Sequence, residues 1–206
     1  MSSAHAHTAK GLPAEPEKAT LEGKNKLVGF WLYMSGEAVL FATFFGTYLG
    51  LRNSTNGGPT GAELFALPMV FLATAILLTS SLTSVFAIIN MHRNKAGAMR
   101  FWFLVTVLLG LAFLLLEIYE FAEYVHHGHT FSSSPFGSSF YTLVGFHGLH
   151  VLFGLCWIST LVFRNWNRPI DTYLAPKYYV ASLYWHFVDL IWVFIFTLVY
   201  LLGKVG

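Results

Sequence analysis

The chain has 206 residues, of which 55% are hydrophobic, 17% aromatic and only 11% charged. This composition excludes an ordinary soluble globular protein, in which about 25% of residues are charged. The formal net charge of +2 and the scattered Lys and Arg residues argue against nucleic acid as a partner. Cys156, the single cysteine, allows no disulfide framework and no Cys-based metal motif, and we interpret it as a small buried hydrophobic residue.

Five apolar stretches are long enough to cross a membrane as helices. A hydrocarbon core of about 30 Å requires about 20 apolar residues in a helix. The stretches of that length are 27–51, 67–92, 100–125, 138–164 and 177–203. Glycine, proline and small polar residues separate them, as in NSTNGGPTG after the first stretch. The pattern predicts an all-α membrane protein with one domain, a five-transmembrane-helix bundle of residues 27–206, preceded by a polar segment of residues 1–26.

The positive charges predict how this bundle is oriented. Because the number of spans is odd, the two termini lie on opposite sides of the membrane. The opposite side from the N-terminus has only Arg52 and Lys204, whereas the N-terminal side has ten basic residues: Lys10, Lys18, Lys24, Lys26, Arg93, Lys95, Arg100, Arg164, Arg168 and Lys177. Cytoplasmic loops of membrane proteins are enriched in Lys and Arg, so we predict a cytoplasmic N-terminus and an extracytoplasmic C-terminus.

Glu37 stands alone among the apolar residues of the first span, in GFWLYMSGEAVLF. It lies about ten residues from the cytoplasmic end, near the middle of the membrane at a rise of 1.5 Å per residue. An ionisable group at this depth costs at least about 2.5 kcal/mol, so each such residue is a candidate functional residue. Two interpretations remain open for Glu37, a proton-linked carboxyl or a neutral acid hydrogen-bonded between helices.

Small and hydroxyl-bearing residues predict where the helices pack. Gly46 and Gly50 are spaced i, i+4 in the first span, and the second span contains the hydroxyl-rich stretch TSSLTS at residues 79–84. Such residues allow close approach of helix backbones and hydrogen bonds between helices. We favour this packing role over a path for a substrate.

The third span carries Glu117, Glu120 and Glu123 at intervals of three residues in LEIYEFAEY, along a drifting stripe of one helix face. Carboxylates on one face suggest a metal site. Di-iron bundles, however, use Glu-x-x-His pairs on two helices, and the sequence does not provide them on two helices. We therefore predict roles in helix packing and, for Glu123 near the outer end, at the surface.

The fourth span contains His147 and His150 in GFHGLHV, spaced i, i+3 and so on one helix face. Imidazoles at this spacing could ligate a metal or haem. The flanking glycines, Gly145, Gly148 and Gly154, favour a closely packed helix with neutral histidines bonded to carboxyls of neighbouring helices.

His186 and Asp189 have the same spacing in the fifth span, in YWHFVDLIW near mid-depth. An acid and a base so close could pair with each other, which would lower the cost of burying them.

Three residues at the cytoplasmic end of the fourth span, Arg164, Trp166 and Arg168, could bind a lipid phosphate, although positive-inside flanking explains them equally well. Five further histidines lie in polar contexts and make no metal signal: His5, His7, His126, His127 and His129.

These motifs together resemble subunit III of the haem-copper respiratory oxidases. The segments GFWLYMSGEAVLF, LEIYEFAEY, YTLVGFHGLHVLFG and YVASLYWHFVDLIWVFIFTLVYLLG match that family in order, each in a different span, and the resemblance extends from Leu21 to Gly203. LEGKNK and APKYYVASLYWHFVD are most similar to the cytochrome c oxidase branch of bacilli, and the quinol oxidase branch is next.

The resemblance implies an accessory, non-catalytic subunit of a proton-pumping terminal oxidase that reduces O2 to water with electrons from cytochrome c. It implies no cofactor in this chain, since haems and copper belong to partner subunits. The implied partners are subunit I directly, subunit II, a small subunit IV and bound phospholipid, in the bacterial plasma membrane. Glu37 matches the buried carboxyl of the family. The family also has an intramembrane polar cluster that holds no metal, and four residues match it: His147, His150, His186 and Asp189.

Three alternatives accompany this prediction. The chain could be subunit III of a quinol oxidase, because the spans of the two branches are very similar. From the residues alone it could be a small ion or solute transporter that uses Glu37 and Asp189 as a relay. It could also be a membrane oxidoreductase that itself holds a haem or another metal.

Overall fold

The computed structural model describes residues 12–58 and 60–205. Residues His5, His7 and Lys10, named above, lie outside this part of the chain. A 3-10 turn at Pro16–Lys18 precedes the first long helix. The α-helices in chain order are α1 (Leu21–Leu51), α2 (Gly61–Leu64), α3 (Leu67–His92), α4 (Ala96–His126), α5 (Pro135–Arg164) and α6 (Ala175–Ile195).

Five of these helices, α1, α3, α4, α5 and α6 with its continuation to Lys204, are long and apolar enough to cross a membrane. The predicted five-helix membrane fold is therefore confirmed. Several helices begin before the apolar stretches do because polar residues cap them. The Thr20 side chain accepts a hydrogen bond from the Gly23 amide at 3.0 Å, and Ser134 accepts one from Gly137 at 3.0 Å.

Helices α3 and α4 form the most extensive contact, α6 packs against α3 and α5, and α1 lies at the edge against α5 and α6. Many apolar side chains of α1 consequently face outward, among them Val28, Trp31, Leu32 and Val39, each more than 60% exposed. A membrane helix can present such a face to lipid without cost.

The hydroxyl-rich stretch of α3 bonds to neighbouring helices, as predicted. Ser80 accepts a hydrogen bond from the indole N–H of Trp185 at 3.0 Å. Ser84 and Thr83 bond across helices to Ser182 and Thr106, both at 2.8 Å. Inside a membrane these bonds give buried hydroxyls partners that lipid cannot supply.

Two predictions about small residues are wrong. Gly46 and Gly50 have no atom of the described residues within 4 Å of where a Cβ would stand, so none of the described helices approaches them. Cys156 is exposed, because it lies on the outer face of α5. Close packing occurs instead at Gly110 and Gly154, whose missing Cβ atoms make room for the Trp185 ring.

The last membrane helix changes its winding near its end. After Ile195, α6 continues as a π-helix over Phe196–Leu201 and ends in a short turn at Leu202–Val205. Within this segment the buried Tyr200 hydroxyl donates to Glu120 Oε2 at 3.1 Å. The wider turn thus carries a polar contact to α4.

The connection between α4 and α5 buries a histidine. His129 is 1% exposed and packs against the rings of Phe136, Phe140 and Tyr141. Its Nε2 has no partner in the structure, and burial lowers the pKa of this imidazole below its ordinary value.

We expect the free energy of unfolding to fall as the pH is lowered from 7.5 to 5.5. Burial lowers the pKa of His129 in the native state, so the unfolded chain binds a proton more readily than the native state as the pH falls below about 6.5. Its contribution is therefore present above that pH and is lost as the pH falls through it. Thermal unfolding in detergent at both pH values measures the effect, and His129→Phe should reduce the pH dependence. His127→Phe is the control, because His127 is exposed in the same connection; an equal change in both variants would contradict the prediction.

Candidate intramembrane polar site

Glu37 of α1 and His150 of α5 are in contact near the middle of the membrane depth. Glu37 Oε2 lies 3.1 Å from His150 Nε2, and the two side chains are 16% and 15% exposed. Each residue lies near the midpoint of its helix, so the contact is at the depth where an unpaired charge costs most. The acid that stood alone in the sequence therefore has a partner 113 residues away.

The second nitrogen of His150 fixes how this pair can hold a proton. His150 Nδ1 donates to the Phe146 carbonyl oxygen at 2.7 Å, since a carbonyl can only accept. In a neutral ring Nε2 is then the acceptor, and Glu37 must carry the proton of the contact. If that proton moves to Nε2, the contact becomes an imidazolium–carboxylate pair. Glu37 and His150 together can therefore hold one transferable proton.

Aromatic side chains enclose the pair. The Phe41 ring meets the His150 ring edge-on, with centroids 5.1 Å apart, and the Tyr184 hydroxyl donates to the His150 carbonyl at 3.1 Å. A cavity of about 170 Å³ adjoins His150, lined by Tyr33, Phe146, Leu149, His150, Phe153 and Tyr184. His150 lies beside this cavity, and both side chains of the pair are partly accessible from the surface of the chain.

His147 does not join this pair. It is fully buried, and its Nε2 donates to the Val188 carbonyl of α6 at 3.2 Å. Its Nδ1 has no partner, and its ring lies against Phe113 and Trp192. The expected bond from a histidine to a carboxyl of another helix is found for His150, whereas His147 bonds to backbone.

His186 and Asp189 do not pair with each other, and His186 bonds to hydroxyl groups instead. His186 Nδ1 lies 2.6 Å from the Ser81 hydroxyl of α3, and its Nε2 lies 3.5 Å from Ser182 Oγ. Asp189 is 7% exposed, and its Oδ1 has no partner. The ion pairs of the described residues do not include one between them. The Ser81 hydroxyl of α3 is thus the partner of His186, in place of Asp189 of its own helix.

The carboxyls of α4 have different surroundings. Glu120 accepts hydrogen bonds from the hydroxyls of Tyr124 and Tyr200. Glu117 is 4% exposed with both oxygens unpartnered, and a Cβ on Gly148 would lie 3.0 Å from one of them. Glu123 is about half exposed near the end of the helix. Glu117 and Glu120 therefore lie between helices, and Glu123 lies at the surface.

One buried carboxyl is not among the residues predicted from the sequence. Glu17, in the turn before α1, is 2% exposed and lies 3.1 Å from His92 Nε2 at the end of α3. It occurs in a polar segment, PEK, where no apolar pattern indicates burial.

At the same end of the bundle, Arg164 is the last residue of α5, and Trp166 and Arg168 follow it. Trp166 is 46% exposed and stacks on Phe163, and the Arg168 carbonyl accepts a hydrogen bond from Arg100. Their lipid-binding role stays a prediction.

Known proteins resemble the chain along nearly its whole length. The model of a family described as cytochrome c oxidase subunit III matches residues 16–204. Cytochrome c oxidase subunit 3 of Bacillus sp. (strain PS3) is 63% identical over 200 residues, and that of Bacillus subtilis (strain 168) is 60% identical; each alignment covers 97% of both chains. The chain belongs to the cytochrome c oxidase subunit III family.

Within this family the two predicted branches differ in similarity. A probable quinol oxidase subunit 3 of Staphylococcus epidermidis is 43% identical over 190 residues, which cover 92% of this chain and 94% of its own length. The predicted resemblance to the cytochrome c oxidase branch is confirmed. With its five apolar helices, this subunit III family member is a multi-pass plasma-membrane protein.

Substituting both His147 and His150 by Gln should leave the iron and copper content of the assembled oxidase unchanged. Both nitrogens of His150 are engaged by Phe146 and Glu37, and His147 has only Nδ1 free, against Phe113 and Trp192. Among residues 12–58 and 60–205, no group of three or more His, Cys, Asp or Glu is placed to hold a metal ion. Elemental analysis of the purified complex measures the result, and the loss of one iron or copper per complex would contradict it.

Proposed function

We propose that this chain is the third subunit of a proton-pumping cytochrome c oxidase and that it acts there without a redox centre of its own. The observation that carries the proposal is the identity of 63% and 60% to two cytochrome c oxidase subunits 3, over 97% of every chain compared. In this role it packs against subunit I, in a complex with subunit II and a small subunit IV. The haems and copper of subunits I and II carry the electrons from cytochrome c to O2.

The Glu37–His150 pair is the candidate for a proton-linked role in this subunit. Glu37 and His150 can pass one proton between them without leaving an isolated charge in the membrane, and His150 lies beside a small cavity. The role would support proton uptake and sustained turnover by the catalytic subunits. Glu120, His147 and His186 hold the surrounding helices together through their contacts with Tyr200, Val188 and Ser81. Glu117 and Asp189 are buried between the same helices.

A tagged chain tests the assignment to an oxidase. Purified in mild detergent from cells that express it at native level, it should bring with it a haem-copper partner and cytochrome c oxidase activity. Copurification with no such partner would overturn the proposal. Activity with quinol instead of cytochrome c would place the chain in the other branch.

The isolated chain separates the remaining alternatives. Its absorption spectrum should have no Soret band, and a Soret band would favour an oxidoreductase that itself holds haem. In liposomes it should not carry ions or solutes alone, and such transport would favour the transporter.

We also propose that the N-terminus is cytoplasmic and that Arg164, Trp166 and Arg168 bind a lipid phosphate in that leaflet. The ten-to-two distribution of basic residues supports the orientation. A C-terminal reporter that is active only outside the cytoplasm should be active, and an inactive reporter with an active cytoplasmic one would reverse the orientation. Replacing both arginines by Gln should reduce anionic phospholipid retained by the complex.

A further inference from the structure

A second, larger cavity lies at the end of the bundle opposite the N-terminus, away from Glu37 and His150. Its volume is about 540 Å³, and it lies between α2, the beginning of α3 and the end of α4. Apolar and aromatic side chains form much of its wall, and polar side chains complete it: Leu64, Ala66, Met69, Tyr119, Tyr124, Glu63, Glu120, Glu123 and His127. The size is within the range of small-molecule sites, about 300–1,000 Å³.

The lining of this cavity is mainly acidic, with His127 as its one basic side chain. Three carboxyl side chains line it, and its lining includes no Lys or Arg. Glu63 is held in place because its Oε2 accepts a hydrogen bond from the Thr60 amide at 3.0 Å, and Glu120 is held by two tyrosine hydroxyls. Glu123 is about half exposed, 3.8 Å from His127 Nδ1. Carboxyls with no Lys or Arg among them complement a positively charged group of a ligand.

An exposed apolar stripe leads from the cavity toward the middle of the membrane. Leu108, Leu111, Leu115 and Tyr119 repeat at intervals of three and four residues on one face of α4 and are 66%, 44%, 59% and 57% exposed. Tyr119 also lines the cavity. The stripe is about 16 Å long at 1.5 Å per residue, close to half of the hydrocarbon core of about 30 Å. Its length therefore matches the acyl chain of one leaflet.

We propose that this cavity binds an aminophospholipid of the adjacent leaflet, of the phosphatidylethanolamine class. The primary ammonium of the headgroup donates hydrogen bonds to the carboxyls of Glu63 and Glu123, and one acyl chain lies along the stripe on α4. A choline headgroup has no N–H to donate, and a glycerol headgroup leaves the lipid with a net negative charge. The site therefore prefers ethanolamine to choline and choline to glycerol headgroups.

This site differs in chemistry from the basic cluster of Arg164, Trp166 and Arg168. That cluster lies at the other end of the bundle and complements a phosphate, whereas the cavity complements an ammonium group. Lipid binding at the cavity does not depend on which electron donor the complex uses, since residues of this chain line the cavity.

Photoactivatable lipids test the proposal on the intact oxidase in nanodiscs. Phosphatidylethanolamine, phosphatidylcholine and phosphatidylglycerol, each with a diazirine in one acyl chain, are compared at equal concentration, and labelling of residues 108–119 is quantified by mass spectrometry. Ethanolamine lipid should label this segment roughly fivefold more than choline lipid, as expected for about 1 kcal/mol from hydrogen bonds that choline cannot donate. Equal labelling by all three lipids would overturn the proposal.

Charge-removing variants locate the headgroup. Glu63→Gln with Glu123→Gln should abolish the preference for ethanolamine, and the fold is preserved because Gln can replace Glu at position 63 in the cap of α2. Glu22→Gln, an exposed acid at the other end of the bundle, is the matched control and should retain the preference. A preference unchanged in the double variant would contradict the proposed headgroup contact.

Two further results decide between a lipid and another occupant. Met69→Trp fills part of the cavity and should reduce labelling by the ethanolamine lipid, whereas unchanged labelling would show that the lipid lies on the open helix face. If a carbodiimide links Glu63 or Glu123 of the intact complex to a lysine of another subunit, the cavity holds a protein segment and the lipid proposal fails.

Discussion

Replacing Gly110 by Ala is expected to destabilise the bundle by about 3 kcal/mol, at the upper end of the cost of overpacking a core. The new Cβ would lie 2.6 Å from the Trp185 ring and 2.8 Å from Leu155 Cδ2. Trp185 is 1% exposed, and its indole N–H is bonded to Ser80, so the ring cannot move away without losing that bond. The higher helix propensity of Ala offsets about 1 kcal/mol of this cost. Reversible unfolding in mixed micelles measures the change.

The control for this variant is Gly97→Ala in the same helix. Gly97 has no atom within 4 Å of a Cβ position, so only the propensity gain remains and the bundle should be unchanged or slightly more stable. If Gly110→Ala proved as stable as Gly97→Ala, the close contact between α4 and α6 would be disproved. The same order should hold for retention of the subunit when the purified complex is warmed in detergent.

Glu37→Leu should destabilise the bundle by about 2 kcal/mol, because it leaves His150 Nε2 without a partner inside the membrane. The double variant Glu37→Leu with His150→Leu should recover about half of that loss or more, since removing both partners of a buried pair costs less than removing one. A double-mutant cycle on unfolding in micelles gives the coupling energy.

The proton-linked role of this pair adds a second measurement. Glu37→Leu and the double variant should both lower the number of turnovers completed before the oxidase loses activity, although the double variant regains stability. Ser35→Leu, an exposed substitution in the same helix, is the control and should change neither quantity. Normal durability in the stable double variant would show that Glu37 and His150 act only in packing.

The helices could be predicted from the sequence because apolar length is a local property of the chain. The partners of polar groups could not, because they depend on which way each helix faces. His147 and His150 were expected on one face, yet α5 lies between α1 and α6, so two residues 60° apart contact different helices. Glu37 was recognised as a candidate from its apolar surroundings, but nothing in the local pattern identified a partner 113 residues away.

Glycines illustrate the same limit. Gly46 and Gly50 have the spacing typical of helix contacts, whereas Gly110 stands singly in an apolar run, yet only Gly110 has another helix against it. A glycine permits close approach but does not specify the side chain that approaches. The missed burial of Glu17 has a related cause, since the turn that buries it has no apolar periodicity.

The π-helix at Phe196–Leu201 lets the end of the last span tolerate a change in chain length. A π-turn accommodates one more residue than an α-turn, so deleting Leu198 would let α6 continue as an uninterrupted α-helix. The later residues would keep their orientation, because the π-turn holds the extra residue within a single turn. Tyr200 would then still reach Glu120. A deletion in the α-helical part of the span would instead rotate every later residue by about 100° and would separate Tyr200 from Glu120.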